Sequence, residues 1–245
     1  MQLEYIEIDG LPIGLYKDGP VGIGASGGAD SSIVMYILFK NITHDLHIYT
    51  VIGDYRRHAT EKSFDNVVAK CAELTGKTNY FVHKIHNADQ SPERLLNTYD
   101  AAINAGEVDI VYTGITMFPP DNEYADWPDT ADWLANQPYH VEYRKESNTR
   151  PLFGIEIPIP NDTIYEWSPI TIGSVRKDKI TACDKVYNPF INHNKKHIAR
   201  LYKALGVEDT LFPVTRSCEN DSYPDSHCGN CWWCYERKWA FGRLF

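Results

Sequence analysis

The segment Ser26-Gly27-Gly28-Ala29-Asp30-Ser31-Ser32 constrains this chain most, because it joins the apolar run Val21 to Ala25 directly to an apolar helical pattern at Ile33, Val34 and Ile37. Strand, glycine turn and helix in that order make a βα unit, and the same alternation recurs through the first half of the chain. Candidate strands are Val21 to Ala25, Leu46 to Ile52, Asn79 to Ile85 and Asp109 to Gly114, with a shorter edge strand over Pro12 to Tyr16. Between them, Asp30 to Phe39 reads as the first helix and Thr60 to Thr75 as the second, with Phe64, Val67, Val68, Cys71 and Leu74 spaced along one buried face. Pro92 opens a third helix that places Leu95, Leu96, Tyr99, Ala102 and Ile103 on one side, and Gly76 and Gly106 stand where the second and third helices stop. The expectation is an α/β fold, a doubly wound, mostly parallel sheet with helices on both faces.

The alternation ceases after Gly114. From Phe118 to about Pro169 the chain is rich in Pro, Asp and Trp without steady periodicity; it is too long for an ordinary connection and reads as a functional or inserted segment. Val175 to Val186 and Asn194 to Leu205 then read as helical. The last residues are organised by cysteine, with Cys218, Cys228, Cys231 and Cys234 forming C-x9-C-x2-C-x2-C. Thiolates at this spacing can converge on one ion, and four of them suit tetrahedral zinc at ~2.3 Å per Zn–S bond. Such a site leaves no position for water, so the zinc would be structural. Two disulfides, buried thiols or an iron–sulfur cluster are the competing readings. Cys71 and Cys183 read as core residues rather than nucleophiles. These patterns divide the chain into residues 1–186, interrupted by the irregular stretch, and a C-terminal helical, zinc-binding tail at 187–245.

A chain of 245 residues, 43% apolar and 13% aromatic, can bury a substantial core without needing a metal in order to fold. It contains no run of ~20 apolar residues of the kind that spans a bilayer, and Met1 to Tyr5 lacks the basic and apolar regions of a secretory signal. The expectation is a soluble, cytoplasmic protein with no membrane partner. A net charge of −9 disfavours broad adhesion to nucleic acid and favours a small substrate. Arg56-Arg57-His58 and Lys195-Lys196 are local basic patches within that acidic background. Arg57 and His58 follow the strand over Leu46 to Ile52, and cations at that end of a parallel strand lie at the rim where open α/β sheets bind ligands. The alternative is a solvated charge run capping a helix. Trp127, Trp133 and Trp167 can stack a flat ring or simply pack.

The chemistry of the glycine turn is that of an anion cradle. Gly27 and Gly28 let the backbone come close to phosphate oxygens, the first helical turn presents N–H groups and a dipole that favour negative charge, and Ser26, Ser31 and Ser32 can add hydroxyl donors. The alternative is a plain strand-to-helix turn with Asp30 as the helix cap. The turn lacks the lysine that the Walker loop of kinases and GTPases requires, since Ala29 follows Gly28. It resembles instead the S-G-G-x-D-S signature of the ATP-pyrophosphatase, or PP-loop, superfamily. That resemblance implies a Rossmann-like core of the PP-loop type that binds ATP through Ser26, Gly27, Gly28, Ala29, Asp30, Ser31 and Ser32 and releases pyrophosphate, with Asp30 helping to hold Mg²⁺.

The tail narrows the resemblance. Ser217-Cys218, His227-Cys228-Gly229-Asn230-Cys231, Cys234, Arg237 and Ala240-Phe241 are similar to the zinc motif of 7-cyano-7-deazaguanine synthase, the QueC-like branch of that superfamily. Asp54-Tyr55-Arg56-Arg57-His58 with Glu61 resembles the family pattern D-Y-G-Q-R-H-x-x-E with Gly-Gln contracted to Arg56, and Ser168-Pro169-Ile170 with Lys177 to Ile180 resembles a looser third segment. The resemblance implies conversion of a heterocyclic acid, 7-carboxy-7-deazaguanine, to its nitrile with ammonia and ATP through adenylated intermediates, with Asp30, Arg57 and His58 in catalytic roles, a structural zinc, and a homodimer. The alternatives are a related enzyme that stops at the amide or passes the adenylate to another acceptor, a PP-loop tRNA sulfurtransferase, which would need catalytic cysteines outside the zinc cluster, and a noncatalytic zinc-ribbon interaction protein.

Overall fold

A computed structural model of the chain describes residues 2–53, 57–87, 92–116, 119, 123, 127, 174–175, 185–190, 193–218, 220 and 222–245, of which 57–60, 87, 92–96 and 174–175 are described by backbone alone. Its centre is a six-stranded sheet with the order β5-β4-β3-β6-β8-β7. The strands are β3 (Val21–Gly24), β4 (Leu46–Gly53), β5 (Tyr80–Asn87), β6 (Ile110–Tyr112), β7 (Ser174–Val175) and β8 (Val186–Asn188). All neighbours pair in parallel except the edge strand β7, which runs antiparallel to β8. The helices are α1 (Ala29–Asn41), α2 (Arg57–Thr75), α3 (Pro92–Asn104), α4 (Lys195–Ala204) and α5 (Trp232–Phe241).

Helices cover both faces, as the alternation predicts. On one face, Ile33, Val34 and Ile37 of α1 and Phe64, Val67, Val68 and Cys71 of α2 join Ile23, Leu46 and Ile48 in the main core, with Leu74 packed against it. On the other face, Tyr99, Ala102 and Ile103 of α3 pack on Tyr49, Val111 and Val186. The expected contributions of Leu95 and Leu96 lie outside the described side chains. Nearly every residue of α1 is buried, because the helix is sandwiched between the sheet and the C-terminal helices; this is what an all-round apolar helix requires. Ile198, Leu201 and Tyr202 of α4 and Phe241 of α5 belong to the same core as the sheet.

Two expectations are corrected. Pro12 to Tyr16 is not an edge of the main sheet: Leu11–Leu15 (β2) pairs antiparallel with Glu4–Ile8 (β1) in a separate hairpin turned at Asp9-Gly10. Asp-Gly between two alternating runs is a hairpin signal in its own right. The hairpin packs against the sheet, where the Tyr16 backbone N–H donates to Tyr112 Oη at 2.8 Å and the Gly14 N–H to Tyr187 Oη at 3.1 Å. The second correction concerns Val175 to Val186, whose two ends are not helical: Val175 lies in β7 and Val186 opens β8. Val186, Tyr187 and Asn188 are buried beside β6, and β-branched and aromatic residues placed there gain more from sheet pairing than helical spacing offers them. Most of residues 118–169 lie outside the described residues, as do 176–184.

The strand order positions the site. The chain builds β3, β4 and β5 outward in one direction and then returns to the far side of β3 for β6 and β8. This reversal opens a crevice between the C-terminal ends of β3 and β6, the place where open α/β sheets bind ligands. The two walls nearly touch at Gly114, where a Cβ would stand 2.7 Å from both N and Cα of Ser31 and 2.8 Å from the carbonyl carbon of Asp30. These are backbone atoms that cannot swing aside. Gly114→Ala is expected to destabilise the fold by about 1–3 kcal/mol through overpacking, read as a lower urea midpoint with an unchanged slope.

Candidate functional site

The turn at residues 26–28 carries the chain from β3 into α1 at the mouth of the crevice. Gly27 has φ +80, and a Cβ there would meet Ser63 Oγ at 2.6 Å and the Phe64 backbone N at 2.8 Å, so α2 closes the back of the turn. Its carbonyl is held from two sides, by Ser63 Oγ at 3.2 Å and by the Arg216 backbone N–H at 2.9 Å. Gly28 occupies the N-cap position of α1, and no side chain caps the helix. The alternative reading of Asp30 as a cap therefore does not describe this turn. Ser26 is exposed, and its backbone N–H donates to Ser31 Oγ at 3.2 Å. Ser32 is fully buried, with its hydroxyl donating to the Gly28 carbonyl at 2.6 Å. An uncapped helix N-terminus facing a crevice has the geometry and dipole that suit an anion.

Asp30, in the first turn of α1, points toward the C-terminal helices. Its Oδ2 lies 3.3 Å from Nζ of Lys195, the first residue of α4, and the same ammonium lies 2.5 Å from Glu236 Oε2 on α5. Burial alone would push the Lys195 ammonium down, but Asp30 and Glu236 outweigh it and hold it above the usual lysine range. A cation with a raised folded value keeps its stabilising effect through neutral pH and loses it only as pH rises through that value. The other oxygen, Asp30 Oδ1, is buried without a hydrogen-bond partner among the described residues. An orphaned carboxylate oxygen beside an anion cradle fits an oxygen-seeking cation such as Mg²⁺. α4 is tied to the turn a second time, by Tyr202 Oη donating to the Ala29 carbonyl at 2.9 Å.

Arg57 and His58 open α2 directly beyond β4, so their backbone stands at the same end of the sheet. Their side chains, like Asp54 to Arg56, lie outside the described residues. Glu61 pairs with Lys84 of β5 at 2.9 Å. Of the three tryptophans singled out, Trp133 and Trp167 lie outside the described residues. Trp127 packs against Trp232 and Trp239 of α5, with ring centroids at 5.4 and 6.0 Å. Glu123 reaches the same helices, accepting from Trp239 Nε1 and from Lys196 Nζ. At least these two residues of the irregular stretch therefore border the C-terminal helices. A cavity of about 180 Å³ behind the turn, lined by residues including Lys62, Asn66, Arg216 and His227, is too small for a nucleotide.

The four cysteine sulfurs lie within 4.8 Å of one another, with Cys228 and Cys234 at 3.9 Å. Four thiolates around zinc at ~2.3 Å are separated by about 3.8 Å, so this cluster has the size of a tetrahedral site and could hold a metal ion. The Asn220 and Cys228 backbone N–H groups both donate to Cys218 Sγ at 3.4 Å. Next to the cluster, Arg237 is fully buried, with hydrogen bonds to the Leu244 and Phe212 carbonyls at 2.7 and 2.9 Å and to Thr215 Oγ1 at 2.9 Å. Burial pushes its guanidinium down to about 10, still cationic at neutral pH.

Lys195 was visible in the sequence as one of a basic pair, whereas Glu236 carried no signal among the polar residues of the tail. A test of the triad is Lys195→Met, which leaves the buried Glu236 and the half-buried Asp30 without their cation. A loss of about 3–5 kcal/mol at pH 8 is expected. Urea unfolding at that pH reads it.

No curated protein matches the chain. A protein-family model, that of the queuosine biosynthesis protein QueC, matches residues 171–244. The matched span takes in α4, Lys195, Glu236 and all four clustered cysteines. The PP-loop signature lies outside it, on the turn that Asp30 and Lys195 join to the matched helices. The likeness to the QueC family therefore covers the tail, and the Asp30–Lys195 pair joins that tail to the glycine turn.

Proposed function

We propose that this chain is an ATP-dependent enzyme of the queuosine pathway that converts 7-carboxy-7-deazaguanine to 7-cyano-7-deazaguanine with ammonia and two ATP. The observation that carries the reading is the join at Asp30 and Lys195, which couples an uncapped anion cradle at the sheet's switch point to a tail matching the QueC family. A carboxylate does not yield to ammonia, because oxide would have to leave; an AMP ester provides a leaving group. The substrate carboxylate attacks the α-phosphorus of ATP and the bond to pyrophosphate breaks. Ammonia then displaces AMP to give the amide. The amide oxygen attacks the α-phosphorus of a second ATP, pyrophosphate departs, and loss of AMP with two protons leaves the nitrile.

The residues have corresponding roles in this reading. Backbone N–H groups over Gly27 to Ser31, aided by the Ser26 and Ser31 hydroxyls and the α1 dipole, receive the departing pyrophosphate. Lys195 balances the Asp30 carboxylate so that the turn does not repel an anion. Mg²⁺, held by Asp30 Oδ1 together with the phosphates, would neutralise charge that builds on the leaving group. Arg57 and His58 at the rim suit the substrate carboxylate, and Trp127 with the α5 tryptophans suits the edge of a flat ring. Zinc in the cysteine cluster would be structural. Cys71 offers no nucleophile of the kind a sulfurtransferase needs, since it is buried in the core and burial pushes its thiol well above the ordinary range.

Incubation of the protein with Mg-ATP, ammonium and 7-carboxy-7-deazaguanine is expected to yield nitrile by mass with two AMP per product. Amide with one AMP would overturn the second step, and no turnover of this acid would overturn the substrate. Asp30→Asn is expected to lower kcat/KM by about 10²-fold or more with the fold retained.

A further inference from the structure

At the opposite end of the parallel strands, away from the phosphate turn, three metal-ligating side chains converge on the α3 face of the sheet. His47 is the second residue of β4, His83 the fourth of β5, and Glu107 lies in the turn between α3 and β6. The register sets Phe81 opposite His47 and His83 opposite Tyr49, and the two-residue period puts all four side chains on one face. His47 Nδ1 stands 3.1 Å from His83 Nε2 and 3.4 Å from Glu107 Oε1, and His83 Nε2 stands 3.9 Å from the same oxygen.

We propose that His47 Nδ1, His83 Nε2 and Glu107 Oε1 bind one divalent transition-metal ion, zinc by donor type, with a fourth position open to water or an added ligand. Ligands at ~2.0–2.1 Å in a tetrahedral shell are about 3.3 Å apart, which is the scale of this triangle. Two imidazoles and a carboxylate form a borderline donor set that suits zinc, cobalt or nickel over calcium or magnesium. A hydrogen-bonded histidine pair is the simpler arrangement, but one proton between the rings leaves the carboxylate oxygen facing a lone pair. A cation at the centre satisfies all three donors at once.

The surroundings are built to hold the donors. Glu107 is fixed through its other oxygen by Tyr49 Oη at 2.8 Å, the kind of outer contact that orients a ligating carboxylate. Tyr49 is buried and stacks on the His83 ring at 4.7 Å, and the two histidine rings lie 11° from parallel. His83 and Glu107 are about one-third exposed, so an ion can enter from solvent and one coordination position faces out. The ion would tie β4, β5 and the α3–β6 turn together independently of the cysteine cluster.

The test is metal content of the full chain after zinc saturation and dialysis. Two zinc ions per chain are expected for the wild type and one for His83→Gln and Glu107→Gln, the latter retaining a partner for Tyr49. Cobalt(II) added to protein carrying one equivalent of zinc, which the cysteine cluster takes first, should give visible ligand-field absorption without a thiolate charge-transfer band, and His83→Gln should abolish it. Tyr49→Phe is expected to weaken cobalt binding by about 10–100-fold without removing a ligand. One zinc per chain in the wild type, or a cobalt spectrum unchanged in both His83→Gln and Glu107→Gln, would overturn the assignment. Circular dichroism of both variants checks the fold, and the partly exposed positions of His83 and Glu107 make either one usable by itself.

Discussion

The buried ammonium of Lys195 is the contact on which the arrangement of this molecule depends. It takes one carboxylate from the β3–α1 turn and another from the last helix, and it is itself the first residue of the helix between them. Lys195 and Glu236 are buried and Asp30 is partly so, and a buried charge left without its partner would carry a desolvation penalty of several kcal/mol. The triad therefore fixes where α4 and α5 can sit relative to the glycine turn. It also resolves an electrostatic conflict: a carboxylate in the first turn of α1 gains from the helix dipole but would repel a phosphate approaching the same turn. With Lys195 beside it, the Asp30 charge is balanced and the turn keeps a field suited to an anion.

A second chain of contacts runs from the turn to the cysteine cluster. The Arg216 backbone donates to the Gly27 carbonyl, while its guanidinium donates to the carbonyls of Asn220 and Tyr223 in the loop between Cys218 and Cys228. Arg237 stacks its guanidinium 3.7 Å over the Phe212 ring and hydrogen-bonds both sides of the same segment. Four thiolates around a divalent ion carry a net negative charge, and a buried arginine next to them lowers the cost of keeping that charge out of water. A structural metal in the tail would thus act on the glycine turn through Arg216, without touching a ligand. Among the described residues no helix is long and apolar enough to cross a membrane.

Local pattern was enough to find the elements that carry the site. The strand before Ser26, the apolar face of α2 at Phe64, Val67, Val68 and Cys71, and the helix over residues 195–204 follow from periodicity and end signals alone. Asp9-Gly10 is a hairpin signal, but nothing local says which edge a strand joins, so Pro12 to Tyr16 taken by itself reads as an edge of the main sheet. Val175 to Val186 misleads for the complementary reason: Val186 and the two residues after it acquire their identity as a strand only from lying between β6 and β7. Glu236 is one acidic residue among polar neighbours in sequence, and only burial against Lys195 distinguishes it. His47, His83 and Glu107 are spread over sixty residues, with no spacing that links them until β4 and β5 pair.

What the sequence by itself determined is therefore the chemistry that short segments encode: a glycine turn between strand and helix that can cradle an anion, and four cysteines spaced to meet one ion. Both are local, because a few consecutive dihedral angles bring the relevant groups together. What only the tertiary structure decided is which distant groups face them. Strand order set the crevice between β3 and β6, helix packing delivered Lys195 and Glu236 to Asp30, and strand register gathered two histidines and a glutamate at the other end of the sheet. The physical reason is that burial and electrostatic pairing depend on separation in space, and only packing of the whole core sets those separations.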